Sequence, residues 1–202
     1  MLEYLGHRIT SQGLQPSQEK VQAIRDAWTP KKVMELRAFL CLINYYGKFL
    51  QNLSTTLSPL YKLLKKGTEW KWSAEQEVAV KEVKKMFDSP KSLDPYDRSK
   101  PLQLSCDTSP YGVGAVLTHS SPEGPQRPLA FASQTLTPVE CKYSQLDKEA
   151  LAVIFGVKHF HSYLFGRGFT IYSDHRPLMY IFGENWGCQV WLQPGSNDGH
   201  FC

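Results

Sequence analysis

The sequence predicts a mostly helical region over residues 1–90, followed by an α/β domain with a mixed sheet over residues 102–182. Three observations support this division. Apolar residues recur at helical spacing through most of the first region. Residues 102–107 and 169–174 alternate between apolar and polar side chains, as strands with one buried face do. Between them, residues 144–160 carry an apolar stripe at i, i+3, i+4 spacing, which indicates an amphipathic helix.

Four helices are expected in the first region, after a short opening hairpin that turns at Gly13. Ser17 begins the first helix and Pro30 ends it, because proline lacks the N–H donor that a helix interior needs. Ser73 and Gln76 form a capping-box pattern at the start of the fourth. The apolar faces comprise Val21 and Ile24, then Val33, Leu36, Leu40, Ile43, Gly47 and Leu50, then Leu57, Leu60, Tyr61 and Leu64, and finally Ala79, Val80, Val83 and Phe87.

A linker is expected over residues 91–101, because the stretch around it carries three prolines that interrupt any helix. The α/β domain that follows is expected to run strand, strand, strand, helix, strand. Its elements cover residues 102–107, 111–119, 127–133, 144–160 and 169–174.

Three acidic residues are the candidate functional groups: Asp107, Glu149 and Asp174. Asp107 and Asp174 each end a predicted strand, and Glu149 lies on the edge of the apolar stripe of the predicted helix. A glutamate is seldom buried unless it is paired, and an isolated buried charge costs several kcal/mol. Two strand ends and a helix can bring three carboxylates together. Carboxylate oxygens are suitable ligands for magnesium and manganese, so the set indicates a metal site.

Each residue of this set also has an ordinary structural explanation. A glutamate at the rim of a helix can extend its carboxylate to water, which explains Glu149 alone equally well. An aspartate at a strand end is commonly a turn former or a cap, which explains Asp107 or Asp174 alone. The combination of all three favours the metal site.

Long motifs identify a family. CDTSPYGVGAVL, KYSQLDKEALA and SDHRPL resemble the ribonuclease H domain of gypsy-type LTR retroelement pol polyproteins. The upstream segments YLGHRITSQGLQPSQEKVQAI, LRAFLCLINYYGKFL and LSPLYKLLKKGTEWKW resemble the thumb and connection of the same reverse transcriptases, and Tyr4 to His7 resembles the segment that grips the primer end. The resemblance covers residues 2–182 almost continuously.

The resemblance implies a ribonuclease H-like mixed sheet with helices, preceded by a reverse-transcriptase thumb/connection region over residues 1–90. It implies endonucleolytic hydrolysis of the RNA strand of RNA·DNA hybrids with two Mg²⁺ or Mn²⁺ ions. Asp107 would bridge both ions, Glu149 would hold one and Asp174 the other. The implied partners are an RNA·DNA hybrid or a template–primer duplex, recognised through 2′-hydroxyls and duplex shape.

The chain also departs from the family pattern. It has no Tyr-x-Asp-Asp motif, so the polymerase active site is absent. Residues 183–202 form a divergent tail that is too short for the family's last strand, last helix and fourth carboxylate, and Asp198 matches that ligand only faintly. The ribonuclease H-like domain over residues 102–182 is therefore expected to be truncated. Two functions stay open: a metal-dependent ribonuclease H, or a non-catalytic remnant that at most binds nucleic acid.

Composition sets broader limits. The 202 residues are 42% hydrophobic, enough for one sizeable core or two small ones. No apolar run reaches membrane length and no secretory signal is present, so we expect an intracellular chain, cytoplasmic or nuclear, without a membrane partner. Five cysteines, an odd number at irregular spacing, indicate free thiols.

Net charge is +4, which is compatible with nucleic-acid binding without being specific for it. Basic side chains of the first region are interleaved with aromatic ones. They form either phosphate contacts or a solvated basic face above a packed core, and the sequence assigns no individual contact. These residues are Lys31, Lys32, Arg37, Lys48, Lys62, Lys65 and Lys66, with Tyr45, Tyr46, Phe49 and Tyr61. Gly112 and Gly114 interrupt a strand, which indicates either a bulge or turn, or the close approach of a sugar-phosphate backbone.

Overall fold

The chain begins with a small antiparallel sheet that leads into the first helix. The computed structural model describes residues 2–120, 126–173, 178 and 189–192. The opening strands are β1 (Leu2–Tyr4), β2 (His7–Thr10) and β3 (Gly13–Pro16), paired in that order. Helix α1 (Gln18–Asp26) follows, so the predicted hairpin and first helix are confirmed.

Three further helices complete the helical region: α2 (Val33–Tyr45), α3 (Leu53–Lys62) and α4 (Ala74–Met86). The predicted capping box is present, with the Ser73 amide and hydroxyl both bonded to Gln76 Oε1. The second helix is shorter than predicted. It ends at Tyr45, and a 3-10 turn over Gly47–Phe49 carries the chain to α3. Phe49 and Leu50 are nevertheless buried, because the turn keeps them on the core side.

The second region is built on a five-stranded sheet. Its elements are β4 (Leu102–Thr108), β5 (Gly112–His119), β6 (Pro128–Thr135), α5 (Gln145–His159), α6 (His161–Leu164), β7 (Phe169–Ser173) and β8 (Gln189–Leu192). The strand order is β6-β5-β4-β7-β8. The β4–β5 and β5–β6 pairs are antiparallel, whereas β4–β7 and β7–β8 are parallel. The predicted α/β domain with a mixed sheet is thus confirmed.

The sheet extends beyond the predicted end of the domain at residue 182. Strand β8 lies inside the segment that was expected to be a divergent tail, and it pairs in parallel with β7. The expectation that the last strand is missing is therefore wrong, because the four residues of β8 form a further parallel pairing at the edge of the sheet. The expected loss of a last helix and a fourth carboxylate falls outside the described residues.

The predicted linker over residues 91–101 is hydrogen-bonded to the rest of the protein. Leu93 is buried, and its backbone exchanges two hydrogen bonds with Leu14, at 2.8 and 2.9 Å. Asp94 donates its amide to the carbonyl of Pro128 in β6 at 2.8 Å. Arg167 Nη2 donates to two carbonyls of the segment at 2.7 and 2.9 Å. The segment contains no helix, as predicted, but hydrogen bonds hold it to both the helical region and the α/β domain.

Two cores lie on opposite faces of the sheet. Helix α5 covers one face, where a Cβ on Gly156 would stand 3.0 Å from Cys106 Sγ and 3.1 Å from Ala115 Cβ. The start of α3 covers the other face, because Asn52 Oδ1 lies 3.1 Å from a Cβ built on Gly114. Neighbouring strand residues point to opposite faces, so Gly114 and Ala115 assign the two helices to different sides.

The helical region and the sheet are packed together. Phe131 of β6 belongs to the core of the helical region and is 7% exposed. Ser54 donates its amide to Ser133 Oγ at 2.9 Å, and the Thr55 and Ser109 hydroxyls are 2.8 Å apart. No helix within the described residues is long and apolar enough to cross a bilayer.

Candidate functional site

Asp107 lies at the end of β4, the central strand of the sheet. Its side chain is exposed, and its Oδ1 accepts a hydrogen bond of 2.7 Å from the amide of Thr108. The strand positions it because Leu102, Leu104 and Cys106 are buried beneath α5. A buried apolar strand that ends in an exposed carboxylate puts that carboxylate at the rim of the core.

Glu149 lies in the second turn of α5. The helix begins as predicted, with the Asp147 amide donating to Ser144 Oγ at 3.2 Å. The buried face of α5 is rotated from the predicted apolar stripe, which included Val153 and Ile154. Ile154 is 42% exposed, whereas Glu149, Ala152, Val153 and Gly156 are buried. Glu149 is only 4% exposed. It therefore lies on the buried face itself and not on its edge, which excludes the explanation of a rim glutamate that reaches water.

Two side chains that the sequence did not identify hold the Glu149 carboxylate. Thr108 Oγ1 donates to Glu149 Oε1 at 2.7 Å, and Gln145 Nε2 donates to the same oxygen at 2.6 Å. Gln145 also donates to Thr108 Oγ1 at 3.0 Å. Gln145 precedes Glu149 by one helical turn, and this i, i+4 spacing is the signal that identifies it. Thr108 carries no such signal, because its contact depends on packing between β4 and α5.

Asp107 and Glu149 converge on one corner of the sheet. Burial raises the pKa of the Cys106 thiol far above its usual range, and the charges of Glu149 and Asp107 raise it further. The pKa of this thiol therefore responds to both carboxylates. Thr108 links them, since its amide bonds to Asp107 and its hydroxyl bonds to Glu149.

The third predicted ligand, Asp174, lies outside the described residues, as does Asp198. The described part of β7 ends at Ser173, one residue before it. Strands β4 and β7 are parallel, with Ser105 opposite Tyr172, so their carboxyl ends meet at the same edge of the sheet. Within the described ranges, no three His, Cys, Asp or Glu side chains are grouped so as to hold a metal ion. Those ranges contain two of the three predicted ligands.

The residues in place fit a divalent cation. A buried carboxylate beside a second carboxylate is costly unless a cation or hydrogen bonds offset the charge. Glu149 and Asp107 supply only oxygen donors, with the Thr108 hydroxyl beside them. Oxygen donors are those that magnesium and manganese prefer.

At Gly112 and Gly114 the structure shows close approach of other parts of the chain, with an unbroken ladder on both sides. A Cβ on Gly112 would lie 2.5 Å from Ser54 Oγ and 2.9 Å from the carbonyl of Gln134. Gly114 pairs with Asp107 and lies beneath Asn52. The glycines thus let the start of α3 approach the strand beside the candidate site.

The segment that resembles a primer grip is anchored to α2. The Tyr45 and Tyr46 hydroxyls donate to the carbonyls of Leu5 and Gly6, at 3.0 and 3.2 Å. The His7 ring lies 5.6 to 5.7 Å from the rings of Tyr45, Tyr46 and Phe49. Burial lowers the pKa of His7, a bond to the Leu5 carbonyl raises it, and the Lys48 charge lowers it. At neutral pH this histidine is therefore an uncharged part of the packed hairpin.

Comparisons with known proteins agree with this architecture. Residues 72–171 match the family described as an RNase H-like domain found in reverse transcriptase. The Tf2-3 and Tf2-4 transposon polyproteins of Schizosaccharomyces pombe are 36% identical over 180 residues, which are 88% of this chain. Tf2 elements are gypsy-type LTR elements. The chain carries a reverse-transcriptase RNase H-like domain of the gypsy-type retrotransposon class.

Solved retroviral structures share the fold of this reverse-transcriptase segment. A foamy viral protease-reverse transcriptase in complex with dsDNA superposes with a TM-score of 0.81 at 22% identity, over 98% of this chain and 45% of that one. The same kind of protein in complex with RNA/DNA hybrid gives 0.79 at 23% identity, over 98% and 30%. The segment spans 14% of the length of the Tf2 polyproteins. The resemblance identified from sequence motifs is confirmed.

Proposed function

We propose that this chain performs the ribonuclease H step of a retroelement polyprotein, the endonucleolytic hydrolysis of the RNA strand of RNA·DNA hybrids. Asp107, Glu149 and Asp174 are the proposed ligands of two Mg²⁺ or Mn²⁺ ions. The observation that carries the proposal is the pairing of a buried glutamate with an aspartate at the end of the central strand. Such a pair can bind a cation, whereas without a compensating charge its burial costs folding free energy.

The ions, when bound, supply activation of the attacking water and stabilisation of the leaving oxygen. The chain's own contribution is orientation. Gln145 and Thr108 both donate to Glu149 Oε1, which fixes the carboxylate in one rotamer. The amide of Thr108 restrains Asp107 in the same way. Preorganised ligands lower the cost of assembling the reacting groups.

The proposed substrate is an RNA·DNA hybrid, and the proposed second partner is a template–primer duplex along the helical region. The structural neighbours in complex with RNA/DNA hybrid and with dsDNA support both. Discrimination between RNA and DNA would rest on 2′-hydroxyl contacts and duplex shape, without reading of bases.

The test is cleavage of an end-labelled hybrid by the purified chain in magnesium and in manganese. Asp107→Asn and Glu149→Gln are expected to abolish cleavage. Glu75→Gln, at an exposed acid in the first turn of α4, is the matched control and is expected to cleave like the wild type. Cleavage that survives Asp107→Asn would overturn the assignment of the site.

A non-catalytic nucleic-acid-binding module is the second candidate. It is favoured by the sequence of residues 183–202, which diverges from the family pattern. Binding of the hybrid without cleavage in either metal would select it.

A further inference from the structure

A groove runs between the helical region and the edge strand of the sheet. It encloses about 590 Å³. We name it the Lys48 groove. The end of α2, the 3-10 turn and α3 form one wall, and the last residues of β6 form the other. Its principal polar lining residues are Asn44, Tyr45, Lys48, Tyr61, Gln134 and His159.

Lys48 is the only lysine or arginine among the residues that line this groove in the described structure. Its side chain is half-buried, and its ammonium lies 5.2 Å from the centre of the Phe49 ring. Burial lowers the pKa of this ammonium. Six ion pairs connect side chains in the described ranges, and Lys48 takes part in none of them. Among the described residues, this partly desolvated cation has no carboxylate within ion-pair distance to compensate it.

The rest of the lining suits an anion with an attached ring. No Asp or Glu lines the groove in the part of the chain that the structure describes. Tyr45 is 54% exposed, so its ring can stack on a base or sugar. The Tyr61 hydroxyl donates to Asn44 Oδ1 at 3.0 Å, which leaves the Asn44 amide group as a donor toward the groove.

The groove is aligned with the candidate active site. Asp107 pairs with Gly114, and Gly114 pairs with Ser133, another lining residue. Two strand spacings separate Asp107 from Ser133, roughly 10 Å. That distance equals about three base-pair steps along the axis of a duplex. A hybrid bound with its RNA strand at Asp107 is therefore long enough to reach the groove beyond the start of α3.

We propose that the Lys48 groove binds a backbone phosphate of the nucleic-acid substrate, with the Lys48 ammonium contacting the phosphate and the Tyr45 ring facing the adjoining nucleotide. The proposal rests on the proposed function, because it takes the hybrid as the ligand. It adds a contact from the helical region to a duplex that is cleaved on the sheet. Lys48 is accordingly a binding residue that sets the register of the duplex and takes no part in the chemistry.

The test measures binding of an RNA·DNA hybrid by the full chain in EDTA, where cleavage does not occur. Phosphates of each strand are replaced one at a time by neutral methylphosphonates, in the wild type and in Lys48→Gln. In the wild type, one neutralised position is expected to weaken binding. In Lys48→Gln, neutralising the same position is expected to leave binding unchanged. The negative slope of log K against log salt is expected to become shallower by about 0.9.

The slope change means that the affinity ratio of wild type to variant narrows by about 3.5-fold between roughly 50 and 200 mM salt. Lys85→Gln is the matched control, because it removes the same charge from a lysine paired with Glu82 at 2.8 Å. Lys48→Arg is expected to retain the wild-type pattern. Equal slopes for Lys48→Gln and Lys85→Gln, or the same methylphosphonate pattern in Lys48→Gln and the wild type, would overturn the proposal.

The outcomes separate this proposal from the proposed function. Metal-dependent cleavage with an unchanged methylphosphonate pattern in Lys48→Gln would refute the groove alone. A Lys48-dependent phosphate position without cleavage in magnesium or manganese would refute the nuclease alone. A chain that binds no hybrid in EDTA would refute the groove, while the cleavage assay with metal still decides the nuclease.

Discussion

Replacement of Gly112 by alanine tests whether α3 truly closes on the strand beside Asp107. The added Cβ would lie 2.5 Å from Ser54 Oγ and 2.9 Å from the carbonyl of Gln134. The second contact is with backbone, which cannot rotate away, so α3 or β6 must move. Overpacking of this kind costs about 1–3 kcal/mol. For a chain of this length, that corresponds to a fall of roughly 2–12 °C in the melting temperature.

The assay is thermal and urea unfolding of the wild type, of Gly112→Ala, of Gly168→Ala and of the double variant Ser54→Ala with Gly112→Ala. Gly168→Ala is the matched control, because no heavy atom lies within 4 Å of its added Cβ. Ser54→Ala removes the nearer obstacle, so the double variant with Gly112→Ala is expected to recover part of the lost stability. The contact with the Gln134 carbonyl remains, so the recovery is incomplete. Gly112→Ala within about 0.5 kcal/mol of the wild type, or a double variant no better than the single one, would refute the packing of α3 on β5.

Three further predictions concern the site and the linker. Millimolar manganese is expected to raise the melting temperature of the wild type through linked binding, and Asp107→Asn is expected to abolish the rise; a metal-independent melting temperature in the wild type would contradict the site. Thr108→Val removes the hydroxyl that donates to Glu149 at 2.7 Å, which is expected to cost about 1–3 kcal/mol in unfolding free energy and to weaken manganese binding in calorimetry. Arg167→Gln releases the carbonyls that it holds in the linker, so trypsin is expected to cut within residues 95–100 faster than in the wild type; equal rates on a gel time course would show that these bonds do not restrain the linker.

Local features of the fold were predictable from the sequence because their causes are local. The capping box at Ser73 and the helix start at Ser144 depend on residues three positions apart. The mixed sheet followed from alternation and from the helix between strands β4 and β7. The second helix was predicted too long, because its apolar spacing continues to Leu50 while the backbone tightens into a 3-10 turn at Gly47.

Features that depend on contacts distant in sequence were not predictable. Nothing near Leu93 indicates that it pairs with Leu14, since the two residues are far apart along the chain. The role of Gly112 required knowledge of where Ser54 lies. Strand β8 was missed because four residues carry too little alternation to be recognised.

The residues of the candidate site were likewise predictable only in part. Asp107 and Glu149 were identified by their improbable positions in apolar segments, and their role as metal ligands stays a prediction. Their convergence was an inference from topology; the structure links these two carboxylates through Thr108, and the convergence of all three stays a prediction. Thr108 and Gln145 escaped notice because a threonine in a strand and a glutamine on a helix surface are ordinary.

The core residue Phe131 has a consequence for anyone who expresses this protein in pieces. It belongs to the sheet by sequence but packs into the core of the helical region, with Val116 beside it. A fragment that starts at residue 102 would retain every candidate ligand and yet present these side chains, with the face of β5 that carries Gly112 and Gly114, to water. Exposed apolar faces of this kind promote self-association. Insoluble material from such a fragment would therefore report a misplaced boundary, and a soluble product requires the helical region on the same chain.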